Sequence, residues 1–144
     1  INSPQKIINI KKINLEKKIA KQFFTNLFKF RSRIFNYFKT LKNKKIALYG
    51  VGHQGIFFIN FFNIKNFFKY TFDDNSNLHN RYLPGTNIKI KRPSNKLKNF
   101  DYIFLSANHS AEIKISKKNS FLLKKKGKFL SLSFNNKNGI RKHV

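Results

Sequence analysis

Short apolar runs alternate with helix-length amphipathic stretches. The turn Gly50-Val51-Gly52-His53-Gln54-Gly55 directly follows one such run, and Asp73 closes the next about twenty residues later. Together these observations predict an α/β chain with a Rossmann-like, three-layer fold and a mainly parallel sheet, preceded by a long amphipathic helix. The 144 residues suffice for one domain and an arm.

Residues 1–12 are polar and basic, with Pro4 near the start, and read as a tail or linker. Over residues 13–43 the apolar side chains include Ile19, Phe23, Phe24, Leu27, Phe28, Ile34, Phe35, Phe38 and Leu41, largely the rhythm of one helix face. A stripe this rich in Phe predicts docking, with Phe23, Leu27 and Phe38 buried on the following domain or a partner; a membrane-surface helix is the other reading. The α/β domain spans residues 44–134. Its strands are expected at 45–49, 69–73, 87–90, 102–106 and 129–133. Its helices are expected at 56–68, broken near Asn63, and at 111–125, stopped by Gly127. Residues 74–85 form a polar loop, and residues 135–144 read as a frayed tail.

The glycine turn carries the sharpest chemistry. Gly50 permits the tight turn, Gly52 lets a ligand or a neighbouring loop approach the backbone, and Gly55 lets helix pack on strand. The helix start then offers free N–H groups and the positive end of a dipole, suited to phosphate or carboxylate. Asp73 stands where an acid in this fold meets a ribose hydroxyl, or else simply opens the next turn. His53, within the loop, could donate to a phosphate or a sugar hydroxyl, or lie free in water.

Composition excludes several classes. There is no Cys, hence no disulfide, thiolate metal site or cysteine nucleophile, and four scattered His with five acids form no metal-ligand set. Ser106, Ser131 and Ser133 lack the elbow that exposes a nucleophile, and Glu16 and Glu112 read as i, i+4 partners of lysines. No catalytic residue is expected. The net charge of +26, from 31 Lys and Arg against 5 Asp and Glu, suits a polyanion partner. Drift toward residues with A+T-rich codons, such as Lys, Asn, Ile and Phe, explains much of the same bias. No apolar run reaches the ~20 residues of a membrane span, and a cytoplasmic location is expected. The chain opens on Ile1 and lacks Met throughout, as expected of a fragment or a processed product.

Three stretches, IALYGVGHQG, FDDNSNLHNRYLPGTNIKI and DYIFLSAN with GKFLSLS downstream, resemble the C-terminal domain of sugar C-methyltransferases, which methylate a carbon of a nucleotide-linked sugar. The middle stretch is the most specific, through Pro84-Gly85-Thr86 at its distance from Asp73-Asp74-Asn75. The resemblance implies a substrate-side module that helps bind a nucleotide-linked sugar, using Gly50, Gly52, His53, Gly55, Asp73, Pro84, Gly85, Thr86 and Asn108. It also implies S-adenosylmethionine on an absent N-terminal methyltransferase domain, with no cofactor held by this chain. Many relatives carry an Ala-rich loop where His53-Gln54 stands here.

Local alternatives stay open. Asn108 follows a strand at the edge where such sheets bind ligands, as a helix cap or a sugar contact. Thr86 shapes a turn or lines the cleft, and Tyr82 packs under that turn or stacks on a base. His79 and His143 have no assigned role. Two other functions compete: a basic protein binding nucleic acid without sequence preference, and a small NAD-binding regulator. The first lacks any recognised nucleic-acid motif, and the second lacks room for the six strands of a full dinucleotide domain.

Overall fold

A computed structural model describes residues 10–144; of the tail expected at residues 1–12, the first nine lie outside the described residues. Five strands form one sheet: β1 (Ile46–Tyr49), β2 (Phe68–Phe72), β3 (Ile90–Lys91), β4 (Phe100–Leu105) and β5 (Leu123–Ser131). Their order is β3-β2-β1-β4-β5 and every pairing is parallel. The chain therefore steps outward from β1 to β3, returns to β4 beside β1, and steps outward the other way. The Rossmann-like expectation holds, and its switch point falls between β1 and β4.

Alternation along β1 explains the three layers. Ile46 and Leu48 face one side, with Phe104 of β4 and Phe68 of β2; Ala47 and Tyr49 face the other, with Phe72, Phe100, Ile103 and Leu105. The first side is covered by α1 (Ile10–Thr40) and α2 (His53–Phe61), the second by α3 (His109–Lys118) and Leu122. Phe38 of α1 is fully buried, its ring 5.0 Å from that of Phe104 and 5.4 Å from that of Phe68.

Three expectations are corrected. Only the C-terminal third of α1 packs on the domain: Ile34, Phe38 and Leu41 are buried, whereas Phe23 is 60% and Phe28 is 60% exposed, and Leu27 is half-buried. The reason is length, since 31 residues run about 46 Å at 1.5 Å per residue, far beyond the edge of a five-strand sheet. Second, α3 ends at Lys118 rather than near residue 125, and Lys124, Lys125, Lys126 and Gly127 belong to β5. Pairing with β4 outweighs the helix propensity of Lys and Leu. Gly127 is not a helix stop but the point where β5 meets β4 across an irregular register, and a Cβ there would lie 2.6 Å from the Phe100 carbonyl oxygen.

Third, the last ten residues are tied down rather than frayed. Ser131 bridges to Gly139, Ile140 is fully buried, and the chain ends in a short 3-10 turn, Ile140–His143. The rings of Phe134 and His143 contact Phe30 and Tyr37 of α1. The break expected near Asn63 is present: Asn63 has φ 53° and separates α2 from the turn Lys65–Phe67 that leads into β2.

Candidate functional site

All four long strands end together. Tyr49 is level with Phe72 and with Leu105, and Leu105 with Ser131, so the loops after β1, β2, β4 and β5 share one edge. The glycine turn leaves β1 at this edge. Gly50 has φ +101° and its added Cβ would lie 2.5 Å from the Ser106 carbonyl oxygen, so only glycine fits. At Gly55 a Cβ would lie 2.8 Å from Ser106 Oγ and 3.0 Å from Leu48, which explains how α2 lies close on β1 and β4. Gly52 differs. Its backbone (φ −74°, ψ 164°) suits any residue and nothing of the protein lies within 4 Å of its Cβ position. Gly52 is also the N-cap of α2, and no side chain caps that helix, so its first N–H groups have no side-chain acceptor.

Asp73 follows β2 on the same edge, but its carboxylate is turned inward. The Val51 N–H donates to Oδ2 at 2.9 Å and the Asn75 N–H to Oδ1 at 2.8 Å. The acid braces the glycine turn. His53 is exposed at the first position of α2. Asn108 is the N-cap of α3, accepting the Ala111 N–H and the Ser110 hydroxyl on Oδ1, each at 2.9 Å, which leaves its amide NH2 outward.

Pro84, Gly85 and Thr86 stand apart from this group, on the loop that enters β3. The Asn60 amide donates to the Pro84 carbonyl at 3.0 Å, and Asn60 lies seven residues, or about 10 Å of helix rise, from the start of α2. Thr86 closes its own turn, donating to the Leu83 carbonyl at 2.8 Å and accepting from the Ile88 N–H at 3.0 Å. Gly85 has φ +75° and abuts the Asn60 side chain. Tyr82 is 60% exposed, and its backbone bridges Lys89 across the turn.

Beside the switch point a crevice of about 800 Å³ opens between α2, α3 and the chain after β5. Its walls include Gln54, Asn108, His109, Glu112, Ser133 and Asn136. A second groove of about 730 Å³ runs along α3 and β5 and shares His109, Glu112 and Asn136. Glu112, His109 and Asn136 were absent from the sequence-based site. Glu112 is 4% exposed, far from the solvated lysine partner that its neighbours suggest. The legible signal was register: Glu112, Ile115, Ser116 and Asn119 fall at i, i+3, i+4 and i+7 and form the sheet-facing side of α3. Burial raises the Glu112 carboxyl above the usual range, while hydrogen bonds from Ser131 and Asn136 oppose the shift.

Among the described residues no cluster of His, Asp and Glu could hold a metal ion, and no helix is long and apolar enough to cross a membrane. No curated protein matches the chain. Among solved structures, a dimeric ketopantoate reductase from Staphylococcus aureus is similar over 69% of this chain and 39% of its own, at 15% identity and a TM-score of 0.44. This chain therefore spans well under half the length of that protein. The model of a family described as the C-methyltransferase C-terminal domain matches residues 10–132, from the first described residue of α1 to the end of the sheet. That span takes in the glycine turn, the switch point and the crevice's helical wall, though not the wall after β5, and the chain belongs to the C-methyltransferase C-terminal domain family.

Proposed function

We propose that this domain is the substrate-side part of a sugar C-methyltransferase that uses S-adenosylmethionine, and that it holds a nucleotide-linked sugar with its phosphates at the start of α2. The observation that carries this reading is the contrast among the three glycines. Gly50 and Gly55 are explained by the protein's own atoms, whereas the space at Gly52 is empty of protein. A phosphate there would meet the unpaired N–H groups and the dipole of α2. His53 stands at the same helix start and offers a further donor.

The remaining chemistry belongs to a partner. Forming a carbon–methyl bond requires a methyl donor, which the reading takes to be S-adenosylmethionine, and a base near the carbon that loses its proton, and the reading places both on a methyltransferase domain outside this chain. The exposed face of α1, with Phe23, Phe24 and Phe28 open to solvent, is the surface proposed for that domain to cover. A cytoplasmic setting belongs to the same proposal. The NAD-binding alternative is disfavoured by Asp73, whose two carboxylate oxygens are engaged with Val51 and Asn75 rather than held toward a ribose.

Calorimetric titration of UDP-glucose and dTDP-glucose tests the reading. Micromolar to millimolar binding that Gly52→Leu abolishes supports it; no binding, or binding indifferent to Gly52→Leu, contradicts it. Because Gly52 has an ordinary φ and open space, the variant should remain folded.

A further inference from the structure

We propose that the crevice between α2, α3 and the chain after β5 is a glycosyl subsite, in which His109 presents its Nε2–H to a ligand hydroxyl because an Asn136 amide, anchored on the buried Glu112 carboxyl, holds the other ring nitrogen. This rests on the nucleotide-sugar reading and adds to it the place of the sugar and the group that meets it.

The argument starts from Glu112. In a chain of net charge +26, this buried acid has no Lys or Arg ion-pair partner among the described residues. Its partners are neutral. The Ser131 hydroxyl donates to Oε1 at 2.7 Å, and the Asn136 amide Nδ2 donates to Oε2 at 2.7 Å. Ser131 Oγ in turn accepts the Ser133 N–H at 3.0 Å, so its one proton is committed to Glu112.

Those contacts orient Asn136, because the amide atom facing a carboxylate oxygen must be the donor nitrogen. The same Nδ2 lies 3.1 Å from His109 Nδ1. An amide nitrogen accepts no hydrogen bond, so Nδ1 must be the acceptor and the ring proton of neutral His109 resides on Nε2. The chain Ser131–Glu112–Asn136–His109 thus ends in one fixed donor on a residue that lines both cavities.

The ligand class follows from the walls. Gln54, Asn108, Asn136 and Asn138 supply carboxamides and Ser133 a hydroxyl. Asn136 is spent within the chain of contacts and Asn108 keeps only its NH2 as a donor, while Gln54 and Asn138 each pair a donor with an acceptor, which matches the vicinal hydroxyls of a sugar ring, themselves both donor and acceptor. The wall sets the buried Glu112 carboxyl against a single exposed Lys137, a weak match for a phosphate, and the start of α2 lies at the crevice rim, where Gln54 is the second residue of that helix. The sugar accordingly lies over β4 and β5, with its phosphates at α2.

The test titrates the full chain with UDP-glucose and dTDP-glucose, and with UDP and dTDP as the sugar-free probes. The sugar nucleotides should bind more tightly than the diphosphates. His109→Ala should weaken the sugar nucleotides about tenfold, the loss of one well-placed hydrogen bond, and leave the diphosphates unchanged. Nitrogen-15 NMR of the imidazoles should show the Nε2–H form at His109, and Asn136→Ala should release it to a mixture of tautomers. Diphosphates that bind without any gain from the hexose, or equal losses with His109→Ala, overturn the subsite and leave the phosphate reading standing. An Nδ1–H form at His109 overturns it without reference to ligand. If none of the four probes binds, the nucleotide-sugar reading falls and the subsite with it.

Discussion

Single residues here separate structural demand from ligand demand. Gly50→Ala places a side chain at φ +101°, a cost of about 1–2 kcal/mol from backbone strain alone, with a further penalty from the Ser106 carbonyl 2.5 Å away. Denaturant unfolding should show a loss of at least that size, whereas Gly52→Ala should cost less, because Ala is a poorer N-cap than Gly but at an ordinary φ it gains about 0.4–1 kcal/mol by restricting the unfolded chain. The two carboxyls that respond most to folding do so in opposite directions. Burial would raise Asp101, but its ion pair with Lys124 and the Lys45 N–H at 2.8 Å outweigh that and hold it below the usual carboxylate range. A lowered acid stabilises the fold above its unfolded value and loses that contribution as pH falls through the folded value, so Asp101→Asn should flatten the acid limb of stability below about pH 4. Glu112 is raised, so its ionisation opposes folding: the penalty is absent below its unfolded value near 4.5 and grows as pH rises through the folded value. Glu112→Gln should therefore lose stability relative to the parent less at pH 7 than at pH 4.5, and the opposite trend in urea midpoints would contradict the assignment. Of the residues, the glycine turn was legible because spacing encodes it. The bracing role of Asp73 was not, since nothing in sequence says which way a carboxylate turns.

At the scale of elements, strands proved easier to read than helix ends. The run Ile46–Tyr49 is apolar on both faces, as a strand covered by two layers must be, and it marks β1 almost to the residue. The boundary of α3 was illegible because Lys124, Lys125 and Lys126 favour a helix intrinsically, and only pairing with β4 makes them a strand. The tail was illegible for a similar reason: its polar composition hides Ile140, which is buried only because the chain returns to Ser131. For α1 the periodicity was correct and the cover was not. The stripe of Phe23 and Leu27 continues that of Ile34 and Phe38, but the domain reaches only the latter pair. Phe38→Ala should cost about 3–5 kcal/mol, as for other buried Phe. Phe23→Ser with Phe28→Ser should leave thermal unfolding of this chain nearly unchanged, because both rings are already 60% exposed. A large loss of stability from that pair would mean that the stripe is covered.

For the whole molecule the net charge of +26 is spread over many elements. Basic residues occur on α1 (Lys17, Lys21), α3 (Lys114, Lys117), β5 (Lys124, Lys126) and the last turn (Arg141, Lys142). Lys42, Lys44, Lys45 and Lys69 line a groove of about 600 Å³ that includes Ile46 and Phe68, the first residues of β1 and β2, at the far edge of the sheet from the glycine turn. Such a spread gives duplex DNA a weak, sequence-indifferent attraction whose log K falls about 0.9 per phosphate neutralised as log salt rises. A nucleotide-linked sugar at the start of α2 depends on one or two phosphates and on fixed N–H groups, so its salt dependence should be shallow. The most direct measurement is a paired titration of dTDP-glucose and a random DNA duplex at 50 and 200 mM salt, on the parent chain and on Gly52→Leu. The account predicts that the sugar nucleotide keeps most of its affinity at high salt and loses it in Gly52→Leu, while the duplex loses affinity with salt and ignores the substitution. Tight duplex binding that survives 200 mM salt, alongside a sugar nucleotide that binds neither protein, would contradict it.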